Sequence, residues 1–489
     1  HVRVRSLQWL DFLPRRDTGM ASTESSRLET ITVNRIVTGP VRRVMLALVW
    51  PVLAEQFLNT LVGLVDTYLA GNLPEASRVA ATGAVGLAAY VGWLVTMLFA
   101  LVGTGATALI ARSYGAGERP TGNHIANQAV MLVLLMGAGA SVALYAAAPV
   151  FASWLHMEGI TLQMTVRYLR IDAWGYLIWS ISQVGAASLR GAGDMRTSLK
   201  VLSIVNILNV IASPALVHGW GPAPLLGVDG IVVGTLIARI CGGLLMLLIL
   251  LRGRFGIRLR PGLLRPHWGP IRRITRIGIP AAADGTILWG GHFLFLMIVG
   301  FIGTGGAADV NPALAAHIVV VRILAFTYLP ASAFATACAT MIGQALGAGD
   351  PARARRCGHE GVVQCGLLTA GVGLGFLLFA TPLCGLLNKD PQVIALAAPV
   401  LMLAGAFQPL LSTNIVYIGS LRGAGDTIFP MIFSIVGLVC IRVPGGYLLG
   451  VALHHGLFGA WCAVCADIVV RTTLSFTRFT RGRWTALRI

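Results

Sequence analysis

The sequence predicts an all-α, polytopic membrane protein with twelve transmembrane helices, arranged as two homologous six-helix bundles in a parallel repeat. Three observations predict it. Hydrophobic residues make up 56% of the chain and charged residues only 11%, where a soluble domain carries about a quarter charged residues. The apolar residues fall in runs long enough to span a hydrocarbon core as helix, roughly 20 residues each. A seven-residue segment also occurs twice, at corresponding places in two sets of six runs.

Residues 1–44 stand apart, because Arg3, Arg5, Arg15, Arg16, Arg27 and Arg35 mix there with Asp11, Asp17, Glu24 and Glu29. No apolar core follows a basic start, as it would in a cleaved signal peptide. The stretch reads as a cytoplasmic tail, with Met20 a candidate natural start. An N-lobe, 45–252, follows with apolar runs at 45–70, 80–111, 124–150, 163–189, 197–217 and 228–251. A basic connector, 253–274, carries Arg258, Arg260 and Arg265 among Pro261, Pro266 and Pro270, and reads as a tether. The C-lobe, 275–480, has runs at 275–301, 313–343, 358–382, 392–421, 428–452 and 456–477, before a tail at 481–489. Strands cross lipid only as closed barrels with a weak alternating pattern, so continuous runs are helices. Abundant Gly and Ala suit close helix packing in lipid.

The net charge of +18 would suit nucleic acid, but its placement argues against that partner. The arginines sit in short loops between spans, among them Arg112, Arg119, Arg190, Arg196, Arg353, Arg355, Arg356 and Arg422, while the alternate loops hold little beyond Arg78 and Lys389. Lys and Arg mark the cytoplasmic side, so both termini are expected in the cytoplasm. The eight cysteines lie mostly in apolar runs, and Cys462-Ala-Val-Cys465 has no second pair at zinc-like spacing. They read as buried thiols, with no metal site.

Ser188-Leu-Arg-Gly-Ala-Gly-Asp194 recurs letter for letter as Ser420-Leu-Arg-Gly-Ala-Gly-Asp426, an offset of 232 residues (420 − 188). At the same offset Gly115-Ala-Gly117 meets Gly347-Ala-Gly349. Six spans separate the copies, so the halves run parallel, an arrangement that places substrate between them near the midplane.

On these motifs the chain resembles the multidrug and toxic compound extrusion (MATE) family. Pro51, Gln56, Val65-Asp66-Thr67 and Ala70-Gly71 resemble its first helix, Ala111-Arg-Ser-Tyr-Gly-Ala-Gly117 and Gly343-Gln-Ala-Leu-Gly-Ala-Gly349 its Gly-rich loops, and Arg190-Gly-Ala-Gly-Asp194 its RGxGD loop. The resemblance covers roughly residues 45–480 and implies export coupled to H⁺ or Na⁺, with no cofactor.

An ionisable group at membrane depth is expensive and marks function by default. The acids within spans are Glu55, Asp66, Asp172, Asp284 and Asp467. Asp66 falls on the family's first-helix coupling carboxylate, and burial lets a carboxyl load and release a proton. Pro51, fifteen residues earlier, matches a proline at a bend. Asn209 and Thr235 match polar partners of that aspartate in the DinF-like branch, while Ser213 stands where that branch has an acid. This favours the DinF-like over the NorM-like branch but leaves one charge fewer. Asp284, four residues after Pro280, is a weaker stand-in for the NorM-like seventh-helix acid, and His292, His317 and Arg322 suggest a polar cluster beside it. Glu55 reads either as a ligand for a cation or as a partner of an arginine such as Arg442. Asp172 reads as paired with Arg167 or Arg170, and Asp467 with Arg471.

The leading expectation is a monomeric antiporter of small organic cations, in contact with membrane lipids, driven by H⁺ with Na⁺ as the alternative. A flippase of lipid-linked or polymeric substrates would want a cationic central cavity, for which Arg322 and Arg442 are the basic candidates weighed deep in spans. A metal-dependent intramembrane enzyme would want a pattern such as H-E-x-x-H, and none occurs. Cysteines introduced near Arg196 and Arg353 should resist a membrane-impermeant thiol reagent in intact cells; ready labelling at either would reverse the orientation.

Overall fold

The computed structural model describes residues 36–154, 157–221, 224–302, 311–487 and 489. The N-terminal half is α1 (Val41–Gly71), α2 (Glu75–Gly115), α3 (Arg119–Trp154), α4 (Gly159–Ala192), α5 (Met195–His218) and α6 (Val228–Arg252). The C-terminal half is α7 (Trp268–Phe301), α8 (Pro312–Gly347), α9 (Pro351–Leu387), the pair α10 (Pro391–Ala406) and α11 (Gln408–Gly423), then α12 (Ile428–Ala452) and α13 (Gly456–Arg481). Among the described residues ten of these are long and apolar enough to cross a membrane singly, and α10 with α11 makes one further, bent span. The twelfth, α4, carries Asp172, Ser180, Ser182 and Gln183. It is packed against α2, α3 and α6, where polar side chains meet protein rather than lipid.

All twelve expected spans are present, several longer by a turn. Helix α1 begins at Val41, inside the stretch expected to be tail, and Arg353 donates to the carbonyls of Ile36 (2.9 Å) and Gly39 (2.6 Å). Residues 1–35 lie outside the described residues. Past α13, Trp484 is buried beside Phe479, and Arg273 donates to the Ile489 carbonyl at 2.6 Å, so this tail is packed. The tenth span is broken at Phe407 by 54°, because Pro409 has no N–H for the preceding turn. In α12 the helix widens to π geometry over Ile435–Arg442 and Leu448–Ala452.

The helix ends explain the duplicated motif. In Arg-Gly-Ala-Gly-Asp the second glycine takes a left-handed φ, 97° at Gly193 and 87° at Gly425, which costs glycine little. Asp194 then caps α5 through the Thr197 N–H (3.0 Å) and pairs with Arg254, while Asp426 pairs with Arg478 at 2.8 Å. The connector is not a loose tether, because three amides of α3 hold its backbone. Asn123 accepts from the Arg258 N–H (2.7 Å), Asn127 binds Arg258 and Arg260, and Gln128 binds Leu263, Arg265 and His267.

The halves meet where α2 crosses α8, at the end carrying the arginine-rich loops, here the basic end. A Cβ at Gly115 would collide with the Gln344 carbonyl, and one at Gly347 with the Arg112 carbonyl. These contacts exchange under the 232-residue offset, so the crossing lies on the pseudo-twofold axis. Alongside it Thr340 donates to the Arg190 carbonyl and Gln344 to that of Gly191, both at 3.1 Å. Nearer mid-span, Trp289 of α7 packs on Trp93 and Tyr90 of α2, with ring centroids 4.2 and 5.7 Å apart. Gly347→Val should therefore destabilise the protein in detergent by about 1–3 kcal/mol, the usual cost of overpacking. Gly371→Val, with nothing within 4 Å of its Cβ position, should leave the thermal midpoint unchanged.

Candidate functional site

Three of the polar residues singled out in the sequence come together inside the N-terminal half. Helices α5 and α6 pack so closely that Gly234 lies against the backbone of Ser213. This brings Asn209 to Thr235, whose hydroxyl takes the Asn209 amide N–H at 2.8 Å. Thr235 in turn donates to the Ile231 carbonyl (3.0 Å), which Ser213 also reaches at 3.4 Å. The carbonyl oxygen of Asn209 is buried without a hydrogen-bond partner. On α1, one carboxylate oxygen of Asp66 is likewise buried and without a partner. The charges acting on it are Arg239, which attracts, and Asp172, which repels. Gln56 is half-buried on the same helix, ten residues or about 15 Å from Asp66, and so stands apart. Pro51 is buried, and α1 runs through it as one helix.

The hub beside Asp66 was not foreseen. Asp172 of α4 pairs with Arg239 of α6 rather than with Arg167 or Arg170, and accepts from the Tyr176 hydroxyl at 2.6 Å. The Arg239 guanidinium lies over the rings of Tyr176 and Trp179, at 5.0 and 4.9 Å. The available signal was a single arginine inside the sixth apolar run, at Ala238-Arg239-Ile240. Arg167 pairs instead with Asp229, at 2.7 Å.

Glu55 and Asp284 form a symmetric pair of latches. Each acid lies four residues after the proline of the first helix of its half, Pro51 and Pro280, and each meets the arginine of its half's duplicated motif. Glu55 binds Arg190 at 3.0 Å, not Arg442, and Asp284 binds Arg422. Both acids keep a second oxygen that is buried without a partner. Because Arg190 is also held through its carbonyl by Thr340, the first latch is tied to the contact between halves.

In the C-terminal half, Asp467 holds two guanidinium groups, Arg471 at 2.6 and 2.8 Å and Arg442 at 2.5 Å. His292 lies within 3.1 Å of Arg442 through Nε2 and within 2.5 Å of the Leu288 carbonyl through Nδ1. Since Arg442 can only donate, Nε2 accepts and the proton sits on Nδ1. His317 is packed among the rings of Phe295 and Trp461 and feels the charge of the same Arg442, whereas Arg322 is exposed and stands apart. The N-terminal hub thus carries two acids and one arginine, and the C-terminal one two arginines and one acid.

The sequence profile of the MatE family matches residues 51–215 and 280–448, so each match begins at the proline that precedes a latch acid. The chain is 31% identical over 449 residues to the probable multidrug resistance protein NorM of Thermotoga maritima, covering 91% of this chain and 93% of the relative. It is 26% identical to the multidrug resistance protein MdtK of Yersinia pseudotuberculosis over 453 residues, covering 90% and 95%. The fold matches a solved outward-facing MATE transporter of the MOP superfamily with a TM-score of 0.82 at 20% identity, covering 92% of this chain and 98% of that one.

Removing one partner of a buried ion pair strands the other, a loss of about 3–5 kcal/mol where burial is complete. The side chain of Asp284 is 0% exposed and that of Arg422 29%. Arg422→Gln, which strands the acid, should therefore lower the thermal midpoint more than Asp284→Asn. The double variant should lose less than the two single losses added together; strict additivity would show that the pair is not coupled.

Proposed function

The chain belongs to the MATE family of membrane transporters, and on that premise we propose that it exports small organic cations by antiport against an inward flow of H⁺, with Na⁺ as the alternative coupling ion. The observation that carries this reading is the buried, unpartnered oxygen of Asp66 in the half whose inner charges are acidic in excess. An unpaired carboxylate in a low-dielectric site attracts a cation strongly and can accept a proton instead. One group can then hold either the driving ion or the exported cation, so that loading one expels the other. Asn209 and Thr235 add neutral acceptors and donors on α5 and α6 of the same half, and Ser213 stands where an acid would have made a second carboxylate.

The loop charges support an orientation with the basic end and both termini facing the cytoplasm, and the membrane proposed is the inner membrane of the cell. On this reading the α2–α8 crossing and the Glu55–Arg190 latch close the cytoplasmic side, and alternating access requires them to part. Pro51 and Pro280, one turn before the latch acids, are the places where α1 and α7 bend most readily, since a helix-interior proline removes a backbone hydrogen bond. A second reading rests on the arginine excess around Asp467. It favours a substrate with an anionic group, as in a related exporter of lipid-linked or polymeric molecules.

Asp66→Asn should abolish gradient-driven export in everted vesicles while the protein stays folded and inserted, and separately imposed H⁺ and Na⁺ gradients identify the coupling ion. Binding of a permanently charged dye cation to purified protein should weaken as the pH falls, because protonation removes the charge that attracts it. The Asp66→Asn variant should lose that dependence. A flat profile in the wild type would remove the competition mechanism, and tighter binding of anions than of cations would favour the second reading.

A further inference from the structure

We propose that the groove between α3 and α4, on the outer flank of the N-terminal half, binds an anionic phospholipid from the leaflet at the end opposite the basic loops. The groove holds about 960 Å³ and is lined by Tyr145 and Val150 of α3 and by Leu162, Arg167, Arg170 and Trp174 of α4. It faces away from the transport hub: Asp172 points inward to Arg239, whereas Trp174, two residues on, is 68% exposed.

Depth places the two arginines at the headgroup boundary. Helix α4 has 34 residues and is about 51 Å long at 1.5 Å per residue. Centred on a hydrocarbon core of about 30 Å, it leaves about 10 Å beyond each face. Arg167 and Arg170 lie about 12 and 16 Å from the start of the helix, at the boundary and just below it. From there their side chains reach back to the phosphate layer while their stems stay in apolar surroundings.

Charge identifies the occupant. Arg167 is already paired with Asp229. Arg170 has no acidic partner among the described residues: its guanidinium rests on the Tyr145 ring at 5.0 Å, and its Nε is buried without a hydrogen-bond partner. An unneutralised arginine at that depth is costly. A phosphate would remove the cost, accepting from the planar guanidinium fork as an oxyanion does. The phosphate comes from a lipid and not from solution, because Val150, Leu162 and Trp174 give the site apolar walls suited to an acyl chain. The siting is also unexpected for a topological signal, since arginines that only anchor a chain gather at the opposite end. This proposal stands independently of the transport reading.

Native mass spectrometry of the purified full chain, titrated with phosphatidylglycerol and with phosphatidylcholine, tests it. The wild type should retain one phosphatidylglycerol with about a fivefold preference, as one basic residue near a charged headgroup provides. Arg170→Gln should abolish the preference, and Arg170→Lys, which keeps the charge but not the fork, should fall between. Thermal midpoints equal to wild type show that the variants are folded. Equal retention of the two lipids by the wild type, an unchanged preference in Arg170→Gln, or displacement of the lipid by inorganic phosphate would each overturn the proposal.

Discussion

The α2–α8 crossing is the contact on which the rest of the arrangement depends. In lipid, two helices gain little from burying apolar surface against each other, because the tails around them are as apolar as leucine. What holds them is close backbone approach, and that needs positions without a side chain. Gly115 and Gly347 supply such positions on the pseudo-twofold axis, each facing a carbonyl of the other helix. Once α2 and α8 meet backbone to backbone, the last turn of α4 lies within reach of Thr340 and Gln344, and Arg190 is presented to Glu55. The duplicated arginine loops therefore act through an interface that two glycines make possible.

The fold was legible because lipid simplifies the code. Continuous apolar runs can only be helices, and the exact repeat fixed the symmetry before any contact was known. The boundaries that shifted did so where protein replaces solvent as the neighbour. Ile36 and Trp484 are buried by packing against the C-terminal half, which no local pattern announces. The break at Phe407 beside Pro409 and the widened turns of α12 leave no mark in the apolar runs, each of which alone reads as one straight span.

The site was legible where a motif named it and opaque where pairing decided it. Asn209, Thr235 and Ser213 lie on helices in contact, and it was the family resemblance, not spacing, that named them as neighbours. Glu55 and Asp284 had partners far away in sequence, 135 and 138 residues on, and a lone acid does not show which of many arginines it will meet. The symmetry held the answer: both acids sit one turn beyond a proline at the start of a repeat, and both arginines sit in the repeated loop. Asp172 misled for the opposite reason, since Arg167 and Arg170 are close along the chain but lie on another face of α4. Gln56 misled differently again, because a place in a motif does not give a place along a helix axis.

The stapled connector bears on how such a molecule can move. Hydrogen bonds from Asn123, Asn127 and Gln128 hold the backbone from Arg258 to His267 against α3, so that strand travels with the N-terminal half as part of its body. Its sequence position between the lobes suggests a flexible strap, yet mechanically it is a rigid bracket ending at His267. Helix α7 starts at the next residue, Trp268, leaving a single covalent joint about which one half can rock against the other. A joint so short permits rotation but little translation. Under the alternating access proposed above, the parting of the α2–α8 crossing would be a tilt about this joint rather than a slide of one half along the other.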